Sequence, residues 1–253
     1  MIANSSDDRL LGADFMRAAA CLVVLFHHLA QRLDQGEIAT PLEIFRIFSS
    51  NGTFGVAIFF VLSGFLLARP FWRALDGGKP MSSLRTYAVR RAARILPGFW
   101  LALTVTFVAS FTIFNSRLDG ELWLRFVAGF LLVADWHWIT FFPVDINGPL
   151  WSISFEATSY VLLPVCFALL FSVGASGWWA RAIWLGVIAL ILAGHWLIAS
   201  FVTIDEARRG WHFGLPGGAN IWMPEYNPLA FFAMFAVGSF AAGFQVRWAK
   251  RRD

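Results

Sequence analysis

Seven stretches of the chain stay apolar long enough to cross a bilayer: roughly 11–31, 52–72, 95–115, 121–141, 149–173, 181–202 and 227–247. As helices, each covers about 30 Å of hydrocarbon, which takes about 20 residues. The runs are unbroken rather than alternating, which disfavours an outer-membrane barrel. Helices also satisfy their own backbone groups in lipid. The pattern therefore predicts an all-α, polytopic transmembrane helical bundle of about seven spans, a single membrane-embedded domain over residues 1–253. The fourth stretch is the least regular, because Arg125, Asp135 and His137 interrupt it. The fifth follows Asn147-Gly148-Pro149, a turn with proline at a helix start. Glycines and prolines from Gly210 to Pro224 mark Thr203 to Tyr226 as a long loop. Met1 to Arg9 is polar, and the first apolar stretch carries Arg17 with no small-residue cleavage site. It is expected to be a retained span rather than a signal peptide.

Composition strengthens this picture. The 253 residues are 58% hydrophobic and only 14% charged, against about a quarter charged in soluble domains. Mean hydropathy is +0.63. The 13 Trp and 27 Phe suit apolar bodies and interfacial belts. The net charge of +4 sits beside hydrophobic runs, so it is read as orientation and contact with anionic lipid, not as nucleic-acid binding. The bilayer is the expected partner, with oligomeric state left open. Cys21 and Cys166 both lie in apolar segments, which argues against a disulfide framework.

Orientation follows the basic residues. Arg69, Arg73, Lys79, Arg85, Arg90, Arg91 and Arg94 face one acid, Asp76, between the second and third spans. That segment is expected to be cytoplasmic, and with it the N-terminus. The loop between the first and second spans is then expected to face outward, with Arg32 and Arg46 offset by Asp34, Glu37 and Glu43. Seven crossings would then put the C-terminus outside, although Arg247, Lys250, Arg251 and Arg252 favour the inside. Either one segment is re-entrant or merged, or the tail breaks the rule.

Ionisable groups within spans are costly and invite a functional reading. Arg17 and His28 stand eleven residues apart in the first span. Eleven steps of about 100° make three turns plus about 20°, with a rise of about 16 Å. The two share a helix face, whereas His27 points about 80° away from Arg17, so His28 is preferred. A histidine can exchange protons near neutral pH, and an arginine is a fixed cation. The plainer reading is that His27 or His28 caps the interface. Arg91 and Arg94 lie three apart at a membrane edge. Their guanidinium groups suit phosphate oxygens, although a plain positive-inside anchor explains a basic cluster equally. Glu156, early in the fifth span, needs a partner such as Arg or His. It could orient His28, hold a hydroxyl, or form a structural ion pair. Gly55, Ser63 and Gly64 read as close-packing positions. His137 and His195, each beside tryptophan, read as interfacial or satisfied residues. His212 falls in the late loop. No spacing suits a metal, and there is no phosphate-binding glycine loop or nucleophile elbow.

Taken together, four segments resemble the acyltransferase 3 family of integral membrane acyltransferases. They are Arg17 to His28, Gly55 to Phe65, Arg91 and Arg94 before Ile95 and Pro97, and Trp151-Ser152-Ile153-Ser154-Phe155-Glu156. Their order matches as well as their content, over about residues 10–170, with a looser likeness from Phe232 to Ala242. The resemblance implies transfer of an acyl group, commonly acetyl, from acyl-CoA to a hydroxyl of a carbohydrate or glycolipid acceptor. It implies a multi-pass protein of the inner (cytoplasmic) membrane and no metal. It carries catalysis to His28, support to Arg17 and Glu156, and CoA-side contacts to Arg91 and Arg94. Ala57 stands where many relatives have Asp, and relatives typically continue for several more spans. A transporter or flippase would also bury Arg, His and Glu in a bundle, and a catalytically inactive truncated relative would share the motifs.

Overall fold

A computed structural model describes residues 11–30, 52–201, 223 and 225–249. The outer loop with Arg32, Asp34, Glu37, Glu43 and Arg46 lies outside the described residues. So do nearly all of the 203–226 loop, including His212, and the basic tail from Lys250. The described chain is helical with no strand among those residues. In order, the helices are α1 (Leu11–Ala30), α2 (Phe54–Asp76), α3 (Leu84–Thr112), α4 (Gly120–Phe130), α5 (Trp151–Ser172), α6 (Gly177–Phe201) and α7 (Pro228–Ala249). Six of them, all but α4, are long and apolar enough to cross a membrane. The protein is a multi-pass helical membrane bundle. Bulky apolar side chains such as Leu190 and Val161 stand exposed along these helices, as expected of surfaces that lipid covers.

Contacts divide the chain into two units, Met1–Ser63 and Gly64–Asp253. In the first, α1 meets the start of α2 at Gly55. A Cβ there would lie 2.7 Å from a Val24 methyl and 3.0 Å from the Ala20 carbonyl oxygen. Only glycine permits that approach, and Ala20 opposite is fully buried. Helices gain no hydrophobic drive from meeting in lipid, so such small-residue contacts supply the packing.

The second unit is built around α7, which packs against α5 and α6. Over half of its apolar window is buried. Its small residues explain why. Trp72 donates from Nε1 to the Ser239 carbonyl at 2.7 Å, and Trp184 to the Ala236 carbonyl at 2.9 Å. A Cβ on Gly243 would stand 2.9 Å from the Trp72 ring. Phe167 fills the space between the two indoles, with centroids 5.0 and 4.8 Å away. At Gly64 the approach is closer still: a Cβ would run into the Phe235 carbonyl. The reading of Gly55 and Gly64 as packing positions agrees with these contacts.

Asp76, closing α2, meets Arg181 of α6 through two bonds of 2.8 and 2.6 Å. Arg181 also donates to the Gly177 and Gly243 carbonyls and lies over the Trp72 ring at 4.6 Å. The end of α2, the start of α6 and the end of α7 therefore share one end of this unit. Short connections make α3 leave from that end and α5 return to it. The chain between α3 and α5 thus begins and ends at the opposite face.

This corrects the expected fourth span at 121–141. α4 has only 11 residues, and two 3-10 turns follow, Ala134–Trp136 and Gly148–Leu150. The charges noted in the sequence are the reason. Arg125 donates from Nε to the Phe142 carbonyl at 2.8 Å and pairs with Asp145 at 2.6 Å. Pro143 packs on Gly129, where a Cβ would come within 2.6 Å of the proline. Phe141 and Val144 are fully buried. Non-helical backbone is stable where protein supplies its partners, and here Arg125, Phe141 and Val144 anchor the segment, while Trp136 stays exposed. With that segment turned back, Arg247 comes to the same end as Asp76.

Two outcomes test this arrangement. Asp76→Asn leaves Arg181 buried without its counter-charge and should cost about 3–5 kcal/mol, read as a lower melting temperature in detergent. Arg181→Lys should not recover it, because a lysine cannot reproduce the fork. In a chain with Cys21 and Cys166 replaced by serine, cysteines at Lys79 and Trp248 should label from the same side of sealed vesicles; opposite-sided labelling would restore a seventh crossing.

Candidate functional site

α1 is one continuous helix, so Arg17 and His28 occupy the shared face that their spacing requires. Both are half-buried, and His27 is the more buried histidine at 7% exposure. The two imidazoles pack edge to face with centroids 5.3 Å apart. Their adjacency ties the orientation of one ring to the other, which the helical phase alone does not convey. Ser63, nine residues into α2, is buried.

In the second unit, Glu156 lies one and a half turns into α5 and is half-buried. Its carboxylate accepts a hydrogen bond from the Tyr160 hydroxyl, one turn further along. The Tyr160 ring packs edge-on against Phe235, centroids 5.9 Å apart. Tyr160 also offers its backbone carbonyl to the Tyr87 hydroxyl at 3.1 Å. Tyr87 shares its face of α3 with Arg91 and Arg94, four and seven residues on. The structure thus links the arginine-bearing edge of α3 to the helix that carries Glu156. Arg91 is half-buried and Arg94 exposed. Sequence reasoning passed over both tyrosines. Tyr160 stands at i+4 from Glu156, a spacing that could have flagged it.

The segment Trp151 to Glu156 divides its work between two faces of α5. Trp151 stacks on Phe141 with centroids 5.2 Å apart and meets Phe155, Tyr226 and Phe231 edge-on. Ser154 and Thr158 share another face, one turn apart. Thr158 donates to Asp135 at 2.8 Å. Asp135 and Ser154 are both fully buried. The second carboxyl oxygen of Asp135 and the Ser154 hydroxyl have no hydrogen-bond partner among the described residues. Burial pushes the Asp135 carboxyl above the ordinary carboxylate range, with the Thr158 bond pulling it partly back. Asp135 drew notice in the sequence only as an interruption of a span.

Two other described histidines have hydrogen-bond partners. His195 lies 2.9 Å from the Asn227 amide, which caps α7 by accepting from Leu229 and Ala230. His137 accepts from its near neighbour Ile139 at 3.1 Å. Both cysteines are free thiols. Among the described residues no three His, Cys, Asp or Glu side chains gather as a metal site would require.

The family profile of the acyltransferase domain of acyltransferase 3 matches residues 10–253. The chain belongs to the acyltransferase 3 family. Among its relatives, acyltransferase MdmB of Streptomyces mycarofaciens is 28% identical over 88% of this chain and 55% of its own length. Nodulation protein 10 of Rhizobium leguminosarum bv. viciae is 26% identical over 86% of this chain and 58% of its own. Peptidoglycan O-acetyltransferase OatA of Listeria monocytogenes is 27% identical over 62% of this chain and 24% of its own. The chain spans little more than half the length of the first two. No solved structure matches it.

The buried acid gives a pH test. A folded carboxyl with a raised pKa holds its proton to higher pH than the unfolded one. Its contribution to stability is therefore present at low pH and is lost as pH rises through the folded value. Asp135→Asn is neutral throughout and keeps an acceptor for Thr158. Its melting temperature relative to the native chain should rise from pH 4 towards neutrality; a difference that stays flat would mean that Asp135 does not titrate as a buried acid.

Proposed function

We propose that this chain moves an acyl group, acetyl in the simplest case, from acyl-CoA to a hydroxyl of a carbohydrate or glycolipid acceptor at the inner membrane. The observation that carries the reading is Arg17 and His28 on one face of α1 in a member of an acyltransferase family. A peptidoglycan O-acetyltransferase among the relatives supports a carbohydrate hydroxyl as acceptor.

In this reading His28 takes the proton from the acceptor hydroxyl. The freed oxygen attacks the thioester carbonyl, a C–O bond forms, and the C–S bond breaks. The CoA thiolate leaves with the electron pair and regains a proton from the imidazolium. Arg17, always charged, stabilises negative charge along the same face. His27, the buried neighbour, is a positioning residue that holds the His28 ring edge-on.

Arg91 and Arg94 serve the donor. A phosphate-rich ligand needs forked cations at the membrane edge, and these two project one turn apart beyond Tyr87. Glu156 holds a substrate hydroxyl by a hydrogen bond, its orientation set by Tyr160. These roles use residue chemistry suited to each step, and no metal enters.

The decisive experiment uses purified protein, labelled acetyl-CoA and a panel of saccharide acceptors. His28→Ala should lower transfer by about 10²–10⁴-fold, the usual worth of a general base, with membrane insertion intact. His27→Ala should lose less. Native transfer in His28→Ala would reject the assignment, and solute movement without acyl transfer would point to a transporter. Arg91→Gln with Arg94→Gln should raise KM for acetyl-CoA more than it lowers kcat.

A further inference from the structure

A cleft of about 230 Å³ opens between the start of α6 and the end of α7, lined by Trp178, Phe244, Arg247 and Trp248. It lies at the end of the bundle where Asp76 meets Arg181. Trp178 and Trp248 are half-exposed or more, at 50% and 66%. Indole rings at a helix end belong at the height of lipid headgroups.

Among the described residues the charge in this cleft is uncompensated. Arg181, the other arginine here, is neutralised by Asp76. Arg247 has neither a hydrogen bond nor an ion pair among the described residues, and its Nε is buried without a partner. Its contact is the face of Trp178, 5.1 Å from the guanidinium carbon to the ring centroid. The guanidinium also sits against the first residue of α6: a Cβ on Gly177 would lie 3.4 Å from Nη1. Gly177 has φ +55°, so glycine suits the position on backbone grounds as well. The amino end of a 25-residue helix is electropositive and carries N–H groups without intrahelical acceptors. A cation placed there is disfavoured unless an anion joins it. An anion would meet the guanidinium fork, the helix end and two aromatic walls for its apolar part.

We infer that this cleft binds the headgroup phosphate of an anionic phospholipid, with Arg247 as its fork and Trp178 and Trp248 bracketing the glycerol and upper chains. The site stands apart from the acyl-transfer reading, since none of its residues has a part there.

Native mass spectrometry of the full chain from mixed micelles tests it, with phosphatidylglycerol competing against phosphatidylcholine. The native chain should retain phosphatidylglycerol preferentially. Arg247→Gln should cut that retention about fivefold, the worth of one arginine at an anionic surface. Trp178→Ala should lower it while keeping the charge, and Arg85→Gln, an exposed arginine elsewhere, should leave it unchanged. Circular dichroism checks that each variant is folded, and Trp178→Ala carries the test if Arg247→Gln is not. Equal retention in the folded variants would overturn the inference. So would displacement of the lipid by inorganic phosphate at equal concentration, or by adenosine 3′,5′-bisphosphate, which would assign the cleft to a soluble anion.

Discussion

The Asp76–Arg181 pair organises the second unit. A charge taken into an apolar bundle is costly, and a counter-charge with further hydrogen bonds makes it tolerable. Here both carboxyl oxygens are engaged, two backbone carbonyls take further N–H groups, and Trp72 covers the guanidinium plane. Because the partners come from α2, α6 and α7, satisfying one arginine brings three helix ends together. Trp72 and Trp184 then find carbonyl acceptors on α7, and Gly243 leaves room for the first of them. The apolar contacts follow from that alignment.

A second constraint shapes the opposite face. Arg125 cannot rest in lipid, so its helix stops short and the chain folds back to supply Phe142 and Asp145. The return is tight. Leu132 closes α4 in the left-handed region with φ +61°, where its amide and that of Val133 reach back to Gly129 and Ala128. At the ends of α2 and α5 the same turn is made by Gly78 and Gly174, for which that conformation carries no steric cost. The folded-back segment delivers Phe141 to Trp151 and Asp135 to Thr158. The face that begins α5 is thus built from a stretch whose composition resembled a span.

The functional reading gains from this division of labour. Glu156 and Tyr160 occupy one face of α5, while Ser154, Thr158 and Asp135 form a buried polar patch on another. One short sequence segment therefore serves packing through Trp151, polar burial through Ser154 and a hydrogen bond to Tyr160 through Glu156. On α1 the paired imidazoles and Arg17 need no distant partner to share a helix, since 3.6 residues per turn arranges Arg17 and His28.

Much was legible in the chain because it rests on local rules. Apolar run length marks the six long helices. Asn147-Gly148-Pro149 marks the turn that leads into α5. The helical period places Arg17 with His28 and Arg91 with Arg94. Four ordered motifs announced the family. What remained hidden depends on partners far along the chain. Arg181 lies 105 residues from Asp76, and nothing nearby in the sequence names its counter-charge. Arg125 looked like a flaw in a span until the turn that satisfies it was seen. Run length reports whether a segment can cross the membrane, but the pairing of its charges decides whether it does, because a buried ion's cost is set by neighbours that only the folded chain assembles.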